Sequence, residues 1–357
     1  MRSPTVTVIV DTYNHDQFIE QALSSVLDQD YPQADMEIVV VDDGSTDKTP
    51  DLLRKFGEKI TVIQKRNGGQ ASAFNIAIPL ARGEIVAFLD GDDWWAKNKL
   101  STVMSEFKEN PEIGVVGHGF YEYLEAGQQM KAVLPESTQR VDLKVLADGR
   151  AFSNSMCFFG TSRVSIRKRV LDRIGRIPET LLVEADEFMS TMAVAKSRAV
   201  MLKQPLTFYR LHAGNLFYFT SHDEGKSRRK MSVLFHLSEA LRSQLREELA
   251  SQEIADAVVL PIEIEAKRLK LSLDGGWPWE TVRIERASLR LAYKRMGWKY
   301  RLFKIFPLFL MMVLPPKRFY KVREFYSKMN LKRFRMYTGE PVRSSGATAY
   351  HAKSREN

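Results

Sequence analysis

Three times between residues 5 and 81 an apolar, β-branched run stops at an acidic or glycine-rich turn and gives way to a helical pattern. Thr5-Val6-Thr7-Val8-Ile9-Val10 runs into Asp11-Thr12-Tyr13-Asn14. Apolar residues then recur at Phe18, Ile19, Ala22, Leu23, Val26 and Leu27, the 3.6-residue stripe of an amphipathic helix. Ile38-Val39-Val40-Val41 runs into Asp42-Asp43-Gly44-Ser45-Thr46-Asp47, where Gly44 suits a positive φ and Ser45 or Thr46 is expected to cap the next helix. Ile60-Thr61-Val62-Ile63 is followed by Asn67-Gly68-Gly69-Gln70 and a helical stretch through Ala81. This alternation predicts an α/β fold with a doubly wound, mostly parallel sheet, in which ligands bind beyond the carboxyl ends of the strands. The turns named here all lie at those ends.

A fourth strand, Glu84 to Leu89, delivers three carboxylates into one tight turn, Asp90-Gly91-Asp92-Asp93, ahead of Trp94-Trp95. Carboxylates in an Asp-x-Asp arrangement repel one another unless a hard, oxygen-seeking cation such as Mg²⁺ or Mn²⁺ sits between them, and such a cation can grip a diphosphate. A turn of this kind also serves as a plain helix cap, so by itself it leaves both readings open.

The successive segments Val8-Ile9-Val10-Asp11-Thr12-Tyr13-Asn14, Val41-Asp42-Asp43-Gly44-Ser45-Thr46-Asp47, Asn67-Gly68-Gly69-Gln70-Ala71-Ser72-Ala73-Phe74-Asn75, Arg82-Gly83-Glu84 and Phe88-Leu89-Asp90-Gly91-Asp92-Asp93 resemble, in order and spacing, the motifs of the family 2 inverting glycosyltransferases with the A-type nucleotide-sugar fold. The resemblance spans roughly residues 5 to 220. It implies a nucleoside-diphosphate sugar donor, a divalent metal and inversion at the anomeric carbon. A carboxylate suits the ring N–H of a base such as uracil, and in similar enzymes the second Asp of the motif, here Asp43, reads the base. The resemblance further places Thr12, Asn14 and Gln70 at the nucleoside pocket, Asp90 near the ribose and Asp92 on the metal. Asp42 is expected to serve the turn rather than the ligand.

Leu182-Val183-Glu184-Ala185-Asp186-Glu187-Phe188-Met189 is similar to the family's catalytic-base motif, with Asp186 as the base and Glu187 as its neighbour in competition for the role. Transfer needs a base because an acceptor hydroxyl is a poor nucleophile at neutral pH. The segment around His212, Phe208-Tyr209-Arg210-Leu211-His212-Ala213-Gly214-Asn215, resembles the late loop whose histidine approaches metal and diphosphate. His15 and His118 are expected to be ordinary packed or surface residues. Trp94 and Trp95 are expected to wall the sugar site or pack beneath it.

The chain departs from the family pattern where Asp11 replaces the usual Pro and where the segment from Gly68 to Asn75 lacks an Arg before the Asn. Base contacts near Gln70 are therefore in question. No Gln-x-x-Arg-Trp segment, similar to that of processive synthases, is present, which favours transfer of a single sugar. The competing functions are a non-catalytic sugar-nucleotide-binding or scaffold protein of the same fold and, less favoured, a sugar nucleotidyltransferase, which would need a Gly-rich basic loop in place of Asp11-Thr12-Tyr13-Asn14.

The basic character sits in one part of the chain. Residues 1–220 hold 25 Lys and Arg against 29 Asp and Glu, net −4, whereas residues 221–357 hold 28 against 15, net +13. Between Leu291 and Arg335, 13 basic residues meet one acid, Glu324, around the apolar run Ile305 to Leu314. Ten apolar residues are too few to span a bilayer, which takes about 20, but they suffice for an interfacial anchor. The alternative is packing of this run on the catalytic domain or a sister subunit. The expected organisation is a glycosyltransferase domain over 1–220, a helical basic extension over 221–340 and a disordered tail over 341–357. Within the extension the spacing predicts helices over 226–272 and 280–296. One cysteine, Cys157, rules out an internal disulfide. With no secretory leader visible, a cytoplasmic active site is expected, peripheral on the inner face of an anionic membrane. The expected acceptor is a glycan or lipid-linked precursor of the cell envelope and its polysaccharides. Nucleic acid is not an expected partner, since no nucleic-acid module accompanies the basic residues.

Overall fold

The computed structural model describes residues 5–124, 128–145, 149, 152–153, 155–212, 215, 224–292 and 313–323. Among these, two compact units are present: the first runs to His212 and includes 239–258, and the second holds the remaining described residues.

The first unit is built on a ten-stranded mixed sheet. Its N-terminal half is parallel, as the alternating pattern predicts. Strand β1 (Val6–Thr12) lies between β2 (Met36–Asp42) and β4 (Ile85–Asp90), and β3 (Thr61–Gln64) flanks β2. Beyond β4 the directions mix. The edge continues through β9 (Ser165–Arg167), antiparallel to both β4 and β6 (Ile113–Leu124), and β6 pairs parallel with β10 (Arg198–Leu211). The short strands β5 (Trp94–Trp95), β7 (Gln129–Val133) and β8 (Gln139–Val141) add antiparallel pairings. Arg167 secures the reversal at β9: its buried guanidinium donates to the carbonyls of Ile113 (2.8 Å) and Phe107 (2.7 Å) and pairs with Glu84.

Helices cover both faces. On one, α1 (Ile19–Leu27) and α4 (Lys99–Glu109) bury Ile19, Ala22, Leu23, Val26, Leu100, Val103 and Phe107 against Val6, Val8, Val10, Val40, Ala87 and Leu89. Each buried Ile, Leu, Val or Phe among them contributes about 1.5–3 kcal/mol. On the other, Phe74 of α3 (Gln70–Leu80) meets Phe88 edge-on at 5.2 Å. Strand alternation therefore decides the site: residues 7, 9 and 11 of β1 and 86, 88 and 90 of β4 face α3.

Gly44 has φ +82°, as expected of its turn. The expected cap differs: helix α2 (Thr49–Arg54) draws the Thr49 N–H onto Asp47 Oδ1 at 2.9 Å, while Ser45 and Thr46 turn back to Asn14. Asp is the better acceptor for this N–H, and Ser45 is too far upstream. After α5 (Lys168–Ile174) and α6 (Ala185–Lys196), the predicted helix over 226–272 is two helices, α7 (Glu224–Glu248) and α8 (Gln252–Leu273). Then α9 (Pro278–Ala292) occupies the last predicted helical segment.

In the second unit, α8, α9 and a helix over 316–323 pack through Leu271, Val282, Ile284, Phe319 and Tyr320. Glu285 is buried among Arg268, Arg323 and the Tyr320 hydroxyl. Residues 305–312 of the expected anchor and the 341–357 tail lie outside the described residues. No described helix is long and apolar enough to cross a membrane.

Candidate active site

Asp11 and Asp90 end two neighbouring parallel strands in the same register. The Gly91 N–H donates to the Asp11 carbonyl at 2.9 Å, which closes the acidic turn onto β1. A Cβ at Gly91 would stand 2.6 Å from Thr12 Oγ1 and 2.8 Å from His15 Nδ1, so the residue between Asp90 and Asp92 has no room for a side chain.

Ligand atoms of Asp90, Asp92 and Asp93 fall within 4.8 Å of one another. The three are not alike. Asp93 is buried and its Oδ1 accepts the Arg210 N–H at 2.9 Å, so it ties the turn to β10. Burial and the Asp92 charge push Asp93 up to about 7. Asp92 faces the histidines, with His212 Nε2 3.1 Å and His15 Nε2 3.8 Å from its Oδ2. Burial works against its charge, but the His212 hydrogen bond and the two histidines hold Asp92 below the usual carboxylate range. Burial lowers His15, so the support at neutral pH comes chiefly from the His212 hydrogen bond.

Asp90 accepts from Ser162 Oγ at 3.3 Å and from Gln70 Nε2 at 3.4 Å. Burial, then Asp11, Asp92, Asp93 and Asp186, raise it well above its ordinary value. Asp11 is pushed up to about 8 by burial and by the charges of Asp186 and Asp92, and its buried Oδ1 has no protein partner. Both Asp11 and Asp90 therefore feel Asp92 from the acidic turn and Asp186 from α6. The cluster gathers four carboxyl groups at the strand ends, with the two histidines beside Asp92 the nearest cationic partners. The carboxylate oxygens of this cluster suit a hard divalent ion such as Mn²⁺ or Mg²⁺, and the imidazole nitrogen beside Asp92 fits Mn²⁺ better than Mg²⁺.

Asp186 is aimed by two backbone donors, with the Thr161 N–H on Oδ2 and the Glu187 N–H on Oδ1, each at 2.9 Å. Glu184, just ahead of α6, sits at φ +61°, an uncommon conformation for its residue type that sets the entry of the helix. Gln70 couples the parts. Its Nε2 reaches Thr161 Oγ1 at 3.0 Å as well as Asp90, and its Oε1 accepts the Ala185 N–H at 3.1 Å.

The other expected pocket residues gather at the same strand ends. The Asp43 oxygens accept the N–H groups of Gly68 (3.0 Å) and Gly69 (2.7 Å), and Lys65 pairs with Oδ1. Thr12 accepts the Asp43 N–H through its carbonyl at 2.9 Å and meets His15 Nδ1 through Oγ1 at 3.2 Å. Asn14, at φ +56°, receives the Thr46 N–H at 2.8 Å. Asp42 caps its own turn by accepting the Ser45 N–H, the role expected of it. Trp95 is core, with Nε1 donating to the Ser162 carbonyl at 3.0 Å, whereas Trp94 stacks on Phe208 at 4.9 Å. His118 is buried and bonded to the Gly119 carbonyl, the plain packed residue expected. His15 is not plain: it enters the acidic cluster. Its placement, Asp11 and the bridging by Gln70 carry no local sequence signal, because each depends on partners brought in by the sheet.

Residues 7–175 match the family described as Glycosyl transferase family 2. An uncharacterized glycosyltransferase, alr2836, of Nostoc sp. is 32% identical over 236 residues, which cover 62% of this chain and 70% of that protein. The chain belongs to glycosyl transferase family 2. Family membership makes it a transferase acting on sugars. Two Bacillus subtilis relatives in the same group are matched over 34% and 39% of their own length. Among solved structures, Staphylococcus aureus TarS 1–349 in complex with UDP-GlcNAc has a TM-score of 0.59 at 20% identity, covering 85% of this chain and 90% of that one. The mannosyltransferase PcManGT from Pyrobaculum calidifontis, in complex with GDP-Man and Mn²⁺, has a TM-score of 0.50 at 23% identity, covering 90% and 84%. At these identities the likeness to TarS and PcManGT establishes the A-type fold, and the chemistry rests on this chain's own residues.

Proposed function

We propose that this family 2 enzyme transfers a single sugar from a nucleoside-diphosphate sugar to an acceptor hydroxyl, with inversion. The observation that carries the reading is that Gln70 joins Asp90 of the acidic turn to Thr161 and Ala185, and the Thr161 N–H aims Asp186 into the same cluster, where its charge and that of Asp92 both raise Asp11 and Asp90. A binding module has no use for a carboxylate from α6 beside the acidic turn, and a transferase does.

In this reading Asp186 takes the acceptor's proton while the acceptor oxygen bonds to the anomeric carbon. The bond from that carbon to the diphosphate oxygen breaks on the opposite face, which inverts the centre. Of the two adjacent acids, Asp186 is assigned as the base, because the N–H groups of Thr161 and Glu187 aim its carboxylate, each at 2.9 Å. Asp92 and His212 would hold a divalent ion, which when bound offsets the charge of the departing diphosphate. Thr12, Asn14, Asp43 and Gln70 would line the nucleoside, and Asp90 the ribose. Binding of UDP-GlcNAc by TarS and of GDP-Man with Mn²⁺ by PcManGT supports a donor of this class.

The acceptor is a glycan or lipid-linked precursor in cell-envelope polysaccharide assembly, made on the cytoplasmic side with the chain resting on the membrane surface. Support for this comes from the basic segment 291–335 and from relatives such as the putative teichuronic acid biosynthesis glycosyltransferase TuaG. The test is a panel of UDP- and GDP-sugars with and without Mn²⁺, read by thermal stabilisation and by the anomeric configuration of the product in NMR. Metal-dependent stabilisation by one donor and a product of inverted configuration are expected. A retained configuration, or binding of every donor with no transfer to any acceptor hydroxyl, would overturn the reading.

A further inference from the structure

The second unit leaves two indoles in water. Trp277 is 70% and Trp279 59% exposed, on either side of Pro278 at the start of α9. The turn that presents them is fixed, since the Trp277 N–H donates to Glu280 Oε2 at 2.8 Å. From Trp279 the helix continues with Arg283, Arg286 and Arg290 at i+4, i+7 and i+11, which places all four on one face, and all four are exposed. The opposite side of α9 is buried at Thr281 and Glu285.

More positive charge adjoins this turn. A Cβ on Gly275, two residues before Trp277, would meet the Lys317 side chain at 3.4 Å, and Arg318 and Lys321 are exposed on the same short helix as Lys317. The acids of these segments are already engaged. Asp274 pairs with Arg228 at 2.8 Å, Glu280 holds the Trp277 N–H, and Glu285 is enclosed by Arg268 and Arg323. Among the described residues, none of Arg283, Arg286, Arg290, Lys317, Arg318 and Lys321 has an ion-pair partner. The exposed charge is thus positive and uncompensated, and it borders exposed aromatic surface.

We propose that Trp277, Trp279 and the arginine face of α9 dock the chain on an anionic lipid surface. Indoles prefer the boundary between headgroups and acyl chains, where the ring is partly dehydrated and the N–H stays hydrogen-bonded, and guanidinium groups at the same level pair with lipid phosphates. A second copy of the chain would bring two like-charged faces together and is disfavoured. A nucleic acid would match the arginines, but the exposed Val313 and Val322 of the same unit add aliphatic surface that suits hydrocarbon. This surface lies N-terminal to the run 305–314 and gives the membrane part of the proposed function named contacts. It is independent of the donor site, so its failure leaves the transferase reading standing.

The test uses the full-length chain with Trp298→Phe, which removes the indole of the following segment; the emission change that the further loss of Trp277 and Trp279 abolishes is then theirs rather than that of Trp94 and Trp95. Vesicles of phosphatidylcholine alone and with about 30% phosphatidylglycerol are compared by flotation and by indole quenching with brominated lipid. Binding to the anionic vesicles only, with a blue shift and quenching, is expected. Trp277→Ala/Trp279→Ala should weaken it by at least about tenfold for each indole removed, and Arg283→Gln/Arg286→Gln/Arg290→Gln should weaken it and flatten its salt dependence. Unchanged far-UV circular dichroism and melting temperature show that these exposed positions are not needed for folding. The proposal is overturned if the tryptophan variant binds vesicles like its parent. It is also overturned if the only loss is of self-association in the ultracentrifuge, or if single-stranded DNA quenches both indoles and brominated lipid does not.

Discussion

Asp11 and Asp90 stand side by side at the ends of β1 and β4, two carboxylates in parallel register, with Asp11 Oδ1 buried and unpartnered. Placing like charges there costs folding free energy and concentrates negative potential where the sheet ends. In the proposed reading, a bound cation would offset this charge.

Burial and the charges of Asp186 and Asp92 push Asp11 up to about 8 from an ordinary 3.8. An acid raised in this way binds more protons folded than unfolded between those values, so its penalty is absent at low pH and grows as pH climbs through 4 to 8. Asp11→Asn should therefore melt higher than the parent, by a margin larger at pH 8.5 than at pH 5. Scanning calorimetry of both proteins without metal checks this, and Mn²⁺ should stabilise the parent more than the variant.

His118 works at the acid end. Burial, aided by Lys99, drops it to about 3, so the folded state keeps it neutral. Its contribution is complete above the unfolded value near 6.5 and declines as pH falls toward 3, at about 1.4 kcal/mol per pH unit, or about 2 kcal/mol by pH 5. His118→Gln should start less stable at pH 7.5, yet lose less between pH 7 and pH 5 in urea titrations.

Asp92→Asn should abolish transfer with little change in melting temperature, because the residue belongs to a turn rather than the core. His212→Ala should retain transfer but require more Mn²⁺, by roughly tenfold or more, the range for lost metal-site partners. Mn²⁺ titrations of activity separate the two.

Gln70 ties the Asp90 turn, Thr161 and the start of α6. Gln70→Ala leaves buried donors and acceptors unpaired and should cost about 1–3 kcal/mol of stability. Because the base helix loses its tether, kcat should fall more than KM rises, measurable in steady-state kinetics with saturating acceptor.

Much of this site was legible in the sequence. Runs such as Val6 to Val10 and Ile85 to Leu89 alternate with helices, and each ends at an acidic turn, so strand ends and acidic loops had to meet. What stayed hidden depends on long-range placement. Gln70 contacts residues 91 and 115 positions away, and His15 reaches Asp92 because the loop after β1 packs on Gly91 of the β4 turn. Strand β9, three residues long, carries too little pattern to foretell the antiparallel half of the sheet. The helix predicted over 226–272 divides because Leu249 closes α7 onto the Leu245 carbonyl and Ser251 opens α8, a break within an unbroken apolar stripe.

The most direct test of the account is Asp186→Asn, with donor affinity followed by calorimetry alongside a transfer assay in Mn²⁺. The account predicts unchanged donor affinity and transfer lowered by about two to four orders of magnitude, the contribution of a positioned general base. Transfer at the parental rate in Asp186→Asn, with Glu187→Gln inactive, would contradict it.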